Sequence, residues 1–285
     1  MMPASINSVL SYFALMLLSS VVFFMINLKA HGEGDIASVS TNELFPEGGL
    51  ITQSLIDSAM PKLKQSRLGK ILTRYYNNCL GGVDNWKKIK SFKVVAELST
   101  ENGIQDYESI FKKPNLFKIS ISSEEATDII AFDGNKKQHT RIARGELSLS
   151  EVTPQMLRMI HEPELVTYLL HPLQAGKIFH YKGTVRESNT VCYRISLSVE
   201  NGYTIDYFFD VETYLVTSIK IIDKLEEFKP ILINYSDYRL IGGVYFAHDI
   251  KYHLGGQLDF TICINDISLN IGSAKWMFDL EKGLH

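Results

Sequence analysis

SFKVVAELSTENGIQDYESIFKKPNLFKISIS, Ser91–Ser122, reads in steps of two. Phe92, Val94, Ala96 and Leu98 alternate with Ser91, Lys93, Val95 and Glu97. Tyr107, Ser109 and Phe111 alternate with mostly charged neighbours, and Phe117, Ile119 and Ile121 alternate with Lys118, Ser120 and Ser122. Side chains two apart share a face of a strand, so the stretch predicts three strands, each with one dry and one wet face. Asn102-Gly103 between the first two is a hairpin turn signal. The fold class is therefore mainly β, built from antiparallel pairs.

The same pattern extends toward the C-terminus. Ile129 to Phe132, the turn Asp133-Gly134-Asn135, and Gln138 to Ile142 form a further pair. From Ile178 onward strands are expected at 178–185, 190–199, 203–209, 214–222, 228–238, 244–254 and 257–269. Asn201-Gly202, Gly242-Gly243 and Gly255-Gly256 supply turns between several of them. A sheet of about eleven or twelve strands tends to curl, closing wholly or partly into a barrel.

Two segments carry a helical period instead. In SRLGKILTRYYNNCLGG, Ser66–Gly82, the residues Leu68, Ile71, Leu72, Tyr75, Tyr76 and Cys79 fall on one helical face. Ser66 is the expected N-cap and Gly81-Gly82 the left-handed stop. Bulky aromatics on that stripe imply that it lies on a broad apolar surface such as the sheet. Between the two groups of strands, Thr153 to Leu173 places Met156, Leu157, Met159 and Ile160 before Pro163, and Leu165, Val166, Tyr168, Leu169 and Leu170 before Pro172. Two short, interrupted, Leu/Met-rich helices suit a lid over the mouth of a curled sheet, and Met156, Met159 and Leu169 are its candidate contacts.

The N-terminus is of another kind. Val9–Leu28 reads VLSYFALMLLSSVVFFMINL, apolar on every helical face, and is followed by Lys29 and the polar run AHGEGDIASVS. This length is long for the apolar part of a signal peptide and just sufficient to span a bilayer. Residues 1-30 are thus a signal peptide or an N-terminal membrane anchor, both alternatives standing. Residues 31-52 form a polar linker, and 53-285 the folded domain. Either way the rest of the chain is expected to work outside the cytoplasm, anchored to the membrane if residues 9–28 are retained.

Composition excludes some functions. A formal net charge of -3, from 29 basic and 32 acidic residues, gives no field favouring nucleic acid. Cys79, Cys192 and Cys263 are an odd set with no CxxC pair, so a fully paired disulfide framework is ruled out; one bridge plus a free thiol stays open. No GxSxG, HExxH, P-loop or GxGxxG motif occurs, and no metal or cofactor is expected. His248 and His253 fall on opposite faces of one strand, unable to share a metal. His161 and His171 flank the middle helices beside prolines, where turn or cap roles suit them. Asp206, Asp210 and Glu212 lack the spacing of a calcium loop, and Asp210-Val-Glu-Thr reads as a hairpin turn. Asn234-Tyr-Ser236 matches a glycosylation triplet but sits in a strand pattern.

Several of these turns come in a familiar order. YYNNCLGGVDNWKKIKSFK (75–93) resembles the start of outer-membrane lipoprotein-sorting, LolA-like proteins, in which a Tyr-bearing helix ends in Gly-Gly ahead of an Ile-Lys-Ser step into the sheet. FKKPNLFKIS resembles that family's lysine-proline step, IAFDGNKKQ its aspartate-glycine hairpin, and FFDVETYLVTSIKI its strand–turn–strand unit. YSDYRLIGGVYFAHDIKY and ISLNIGSAKWMFDL resemble its later segments. The resemblance spans about Leu68 to Leu280. Phe246-Ala247 departs from the family's phenylalanine-proline, and no residue here matches the arginine that latches the lid in the best-studied carriers.

The resemblance implies a half-open, incomplete β-barrel with helices covering the concave face. It also implies a non-enzymatic carrier of lipid or lipoprotein acyl chains. The alternating apolar positions Phe92, Val94, Phe111, Phe117, Ile119, Tyr207, Phe209, Ile219 and Tyr235 are the expected lining of its cavity, although ordinary core packing accounts for any one of them alone. The competing expectation is an envelope sensor or protein-interaction module with a self-filled core, whose partner is another envelope protein.

Overall fold

A computed structural model describes residues 66–113, 116–150, 178–198, 203–223 and 229–283. The N-terminal apolar segment, the linker and the middle helices with Met156, Met159 and Leu169 lie outside these residues.

The described chain is a thirteen-stranded antiparallel sheet carrying one longer helix. The strands are β1 Ser91–Thr100, β2 Gly103–Lys112, β3 Leu116–Ser122, β4 Ala126–Phe132, β5 Lys137–Ala143, β6 Glu146–Ser150 and β7 Ile178–Glu187. They continue with β8 Thr190–Ser198, β9 Tyr203–Asp210, β10 Val216–Asp223, β11 Ile231–Ile241, β12 Val244–Leu254 and β13 Gln257–Leu269. Their spatial order is β6-β5-β4-β3-β2-β1-β13-β12-β11-β10-β9-β8-β7. Two runs of hairpins thus meet where β1 pairs with β13. The edges are β6 and β7, consecutive in sequence yet not paired with each other, so the sheet is open on that side.

Turn chemistry explains why the hairpins form. Gly242 and Gly243 take φ of 57° and 80°, and Gly255 and Gly256 take 58° and 85°, the left-handed pair that a two-residue hairpin turn requires. Asp210, read as a turn residue, is one: its Oδ1 accepts from the amides of Glu212 at 3.0 Å and Thr213 at 2.7 Å.

One strand exceeds the sequence expectation. β6 follows a turn at Arg144-Gly145, with φ of 53° and 79°. Arginine rarely adopts that conformation, so the pair is a poor turn signal. In addition, Leu147 is an exposed apolar residue, which blurs the dry-and-wet alternation by which strands are recognised.

Helix α1, Arg67–Cys79, begins where Ser66 accepts a hydrogen bond from the Gly69 amide at 2.9 Å. Its buried residues are the predicted stripe together with Gly69. The short α2, Val83–Lys88, follows at once. Asn85 of α2 donates to the carbonyls of Leu80 at 3.2 Å and Gly242 at 3.1 Å, tying the end of α1 to the β11–β12 turn. That approach needs bare backbone, since a Cβ on Gly81 would lie 2.5 Å from the Gly243 carbonyl oxygen.

The opposite face of the sheet carries the C-terminal segment, with the 3₁₀ turn Lys275–Phe278 and the short helix α3, Leu280–Gly283. Leu280 packs on Ile129 and Ala131, and its amide donates to Gln138 Oε1 at 2.7 Å. All three cysteines are free thiols, Cys79 and Cys192 buried and Cys263 exposed.

Candidate ligand-binding face

Register decides which side chains share a face. Phe92 pairs with Leu269 and Phe111, and Phe111 with Phe117. Val94 pairs with Ile267 and Ser109, and Ser109 with Ile119, which pairs with Ile130. Across the junction, Leu98 faces Ile262, Ile262 faces Ile250, and Ile250 faces Tyr235. Ile233 continues to Ile219, Tyr207 and Ile195. The same face therefore presents apolar side chains on the strands from β7, where Tyr181 faces Ile195, to β4, with Ser109 the polar member of these pairings.

All nine candidate lining residues lie on this inner face, but in two settings. Tyr207, Phe209 and Ile219 are wholly buried in the half that seats α1. There the Tyr75 ring meets Phe209 edge-on at 5.5 Å. Burial raises the Tyr75 hydroxyl pKa well above its ordinary value. Tyr235, Val94, Phe117 and Ile119 are buried as well, in the same cluster. Phe92 and Phe111 are only partly buried.

Phe92 and Phe111 belong to a run of ring contacts along one end of the sheet. Phe246 to Phe92 is 6.0 Å, Phe92 to Phe111 4.9 Å, Phe111 to Phe117 6.4 Å and Phe117 to Phe132 5.8 Å. The spacing falls within the range of favourable aromatic pairs. At the foot of β2, Lys113 lies 3.7 Å from the centroid of the Trp86 ring and donates to the Trp86 carbonyl. Burial, helped by the nearby Lys90 charge, lowers its pKa to about 8.

Polar side chains interrupt the apolar face, His248 of β12 among them. Ser109 is 1% exposed, and among the described residues its hydroxyl has no hydrogen-bond partner. At the β4–β5 end, Asp128 receives both His139 Nε2 and Arg141 Nη1 at 2.9 Å. These three polar residues end the apolar row before β6. They went unread in the sequence, although His139 and Arg141, two apart beside a strand bearing Asp128, carried the signal.

The outer face holds a second unread pair. Asp206, 1% exposed, accepts from Arg194 at 2.7 Å and from the Ser196 hydroxyl. His248 is buried with Nδ1 3.0 Å from the Phe246 carbonyl, whereas His253 approaches Asn234 across the ladder, so the two histidines point to opposite sides.

Solved structures similar to this chain include a LolA superfamily protein from Nitrosomonas europaea, 9% identical, with a TM-score of 0.47 over 73% of this chain and 96% of that one. A second is described as an outer membrane lipoprotein-sorting protein domain from Vibrio parahaemolyticus, 7% identical, TM-score 0.47, over 70% and 94%. A DUF1329 family protein from Desulfovibrio piger is 9% identical, TM-score 0.48, over 73% and 94%. The resemblance is to LolA-like proteins. No protein-family model and no curated protein matches the chain.

Proposed function

We propose that the protein is a periplasmic or envelope-tethered carrier that holds a lipid or lipoprotein acyl chain against the inner face of its sheet and does no chemistry on it. The observation that carries this reading is the size of the apolar face. Its apolar row crosses eleven strands from β7 to β4, which at about 4.8 Å per strand is roughly 48 Å. Most of its residues are buried, and Phe92 and Phe111 at the β1–β2 end are the candidate lining residues that stay part-exposed. The part-exposed Phe92 and Phe111 suit contact with an acyl chain.

Purified protein should carry co-extracted lipid visible by mass spectrometry and bind a fluorescent fatty acid at micromolar concentration or below. A lipid-free preparation that also ignores the fluorescent probe would sink the proposal. The second reading, an envelope protein-interaction module, is favoured by the full burial of Ile195, Tyr207, Phe209 and Ile219 beneath α1. Specific capture of an envelope protein, with lipid binding absent, would select it.

A further inference from the structure

Helix α1 has a second face that the apolar stripe does not use. Arg67, Lys70 and Arg74 recur at i, i+3 and i+7, one row along the helix. Together with Ile71, Thr73 and Tyr214 they line a cleft of about 270 Å³. No carboxylate lines it, and none of the three cations has an ion-pair partner among the described residues. Each arginine is nonetheless held in place. Arg67 donates to the Tyr193 hydroxyl at 3.2 Å with its guanidinium 5.0 Å from that ring's centroid. Arg74 donates to the Tyr214 hydroxyl and lies 5.1 Å from that ring's centroid. Tyr193 and Tyr214 are themselves 5.8 Å apart.

Three like charges within one helix row repel one another, and a fold retains that cost when an anion relieves it. Stacking on tyrosines fixes the guanidinium forks, so less side-chain freedom is lost when an anion arrives, and such forks match phosphate oxygens. Lys70, with an exposed side chain that bonds nothing among the described residues, adds a movable point charge. The floor of the cleft is continuous with the apolar face, because Ile71 and Tyr214 belong to the same buried cluster as Tyr207 and Phe209.

We infer that this cleft binds the phosphate of an anionic lipid headgroup while the acyl chain lies on the inner face. The lipid part of the inference rests on the carrier reading; the phosphate part rests on the cleft alone.

The test compares two photoreactive lipids with identical acyl chains, a phosphatidic acid and a diacylglycerol, presented to the full chain in non-ionic detergent. Wild-type protein should capture the phosphatidic acid at about tenfold lower mole fraction, the gain expected of one charge-assisted contact. Lys70→Glu, and separately the triple change Arg67→Gln, Lys70→Gln, Arg74→Gln, should bring it to the diacylglycerol level and leave diacylglycerol capture unchanged. Because the Lys70 side chain is exposed and bonds nothing among the described residues, its variant keeps the test valid should the triple variant misfold. Equal capture of the two lipids by wild-type protein would overturn the phosphate site and leave the carrier reading intact. If neither lipid is captured, yet inorganic phosphate protects Lys70 from acetylation, the anion site stands with a free anion as its ligand and the carrier reading falls.

Discussion

Replacing Phe209 by alanine separates packing from binding on the inner face. The ring is fully buried, lies edge-on to Tyr75 at 5.5 Å, and faces Tyr193 and Val216 across its two ladders. Truncating a buried phenylalanine costs about 3–5 kcal/mol, because transfer free energy is lost and the neighbours collapse only in part. The Tyr75 contact contributes about 0.5–1.5 kcal/mol of that through ring geometry. A domain of this size loses about 2–4 °C per kcal/mol, so Phe209→Ala should melt about 6–20 °C below wild type. Phe92→Ala, at a part-buried ring, should cost less than half as much while reducing fatty-acid capture more. Thermal melts followed by circular dichroism, paired with titration of a fluorescent fatty acid, read both quantities. If Phe209→Ala melts within about 2 °C of wild type but loses lipid capture, Phe209 is a ligand contact and the seating of α1 on the sheet has been misassigned.

Gly243→Ala should destabilise the protein by about 1–2 kcal/mol for its left-handed backbone alone, and by more because its Cβ would lie 2.9 Å from Asn85 Nδ2; urea denaturation measures it. Lys113, with its folded pKa lowered to about 8, binds fewer protons folded than unfolded between there and its ordinary value. Stability should therefore rise as pH increases across that window, and Lys113→Met should flatten the rise in denaturation series from pH 7.5 to 10. Thiol titration of native protein should label Cys263 first. Cys79, buried and with its thiol pKa raised to about 12, should label only on unfolding.

Legibility differed between the two faces and between elements. The inner face was readable because its residues obey one local rule, alternation, and because Asp-Gly, Gly-Gly and Asn-Gly pairs mark the turns. The helix α1 was readable from its apolar stripe and its serine cap. The strand β6 was not, since an arginine occupies the left-handed turn that precedes it. Pairings such as Asp206 with Arg194, or Asp128 with His139 and Arg141, depend on which strands become neighbours and in what register, and no residue's own surroundings in sequence encode that. The row Arg67, Lys70, Arg74 stands at helical spacing, but charges on a solvated helix face are ordinary, and the tyrosines that mark it out, Tyr193 and Tyr214, reach it only through the fold.

Pairing of β1 with β13 governs the order in which the molecule can assemble. The described hairpins close across short turns, so β1–β6 and β7–β13 can each zip locally. By contrast, the bond from Lys90 to Asn270 beside the junction closes a loop of 180 residues. Such a contact is entropically expensive and slow to form. Until β13 arrives, β1 and β12 are raw sheet edges in the middle of what will become the core, each able to recruit a strand from another molecule. A chain stopped before Gln257 would therefore hold two sticky half-sheets, and its fate would be aggregation or a protease.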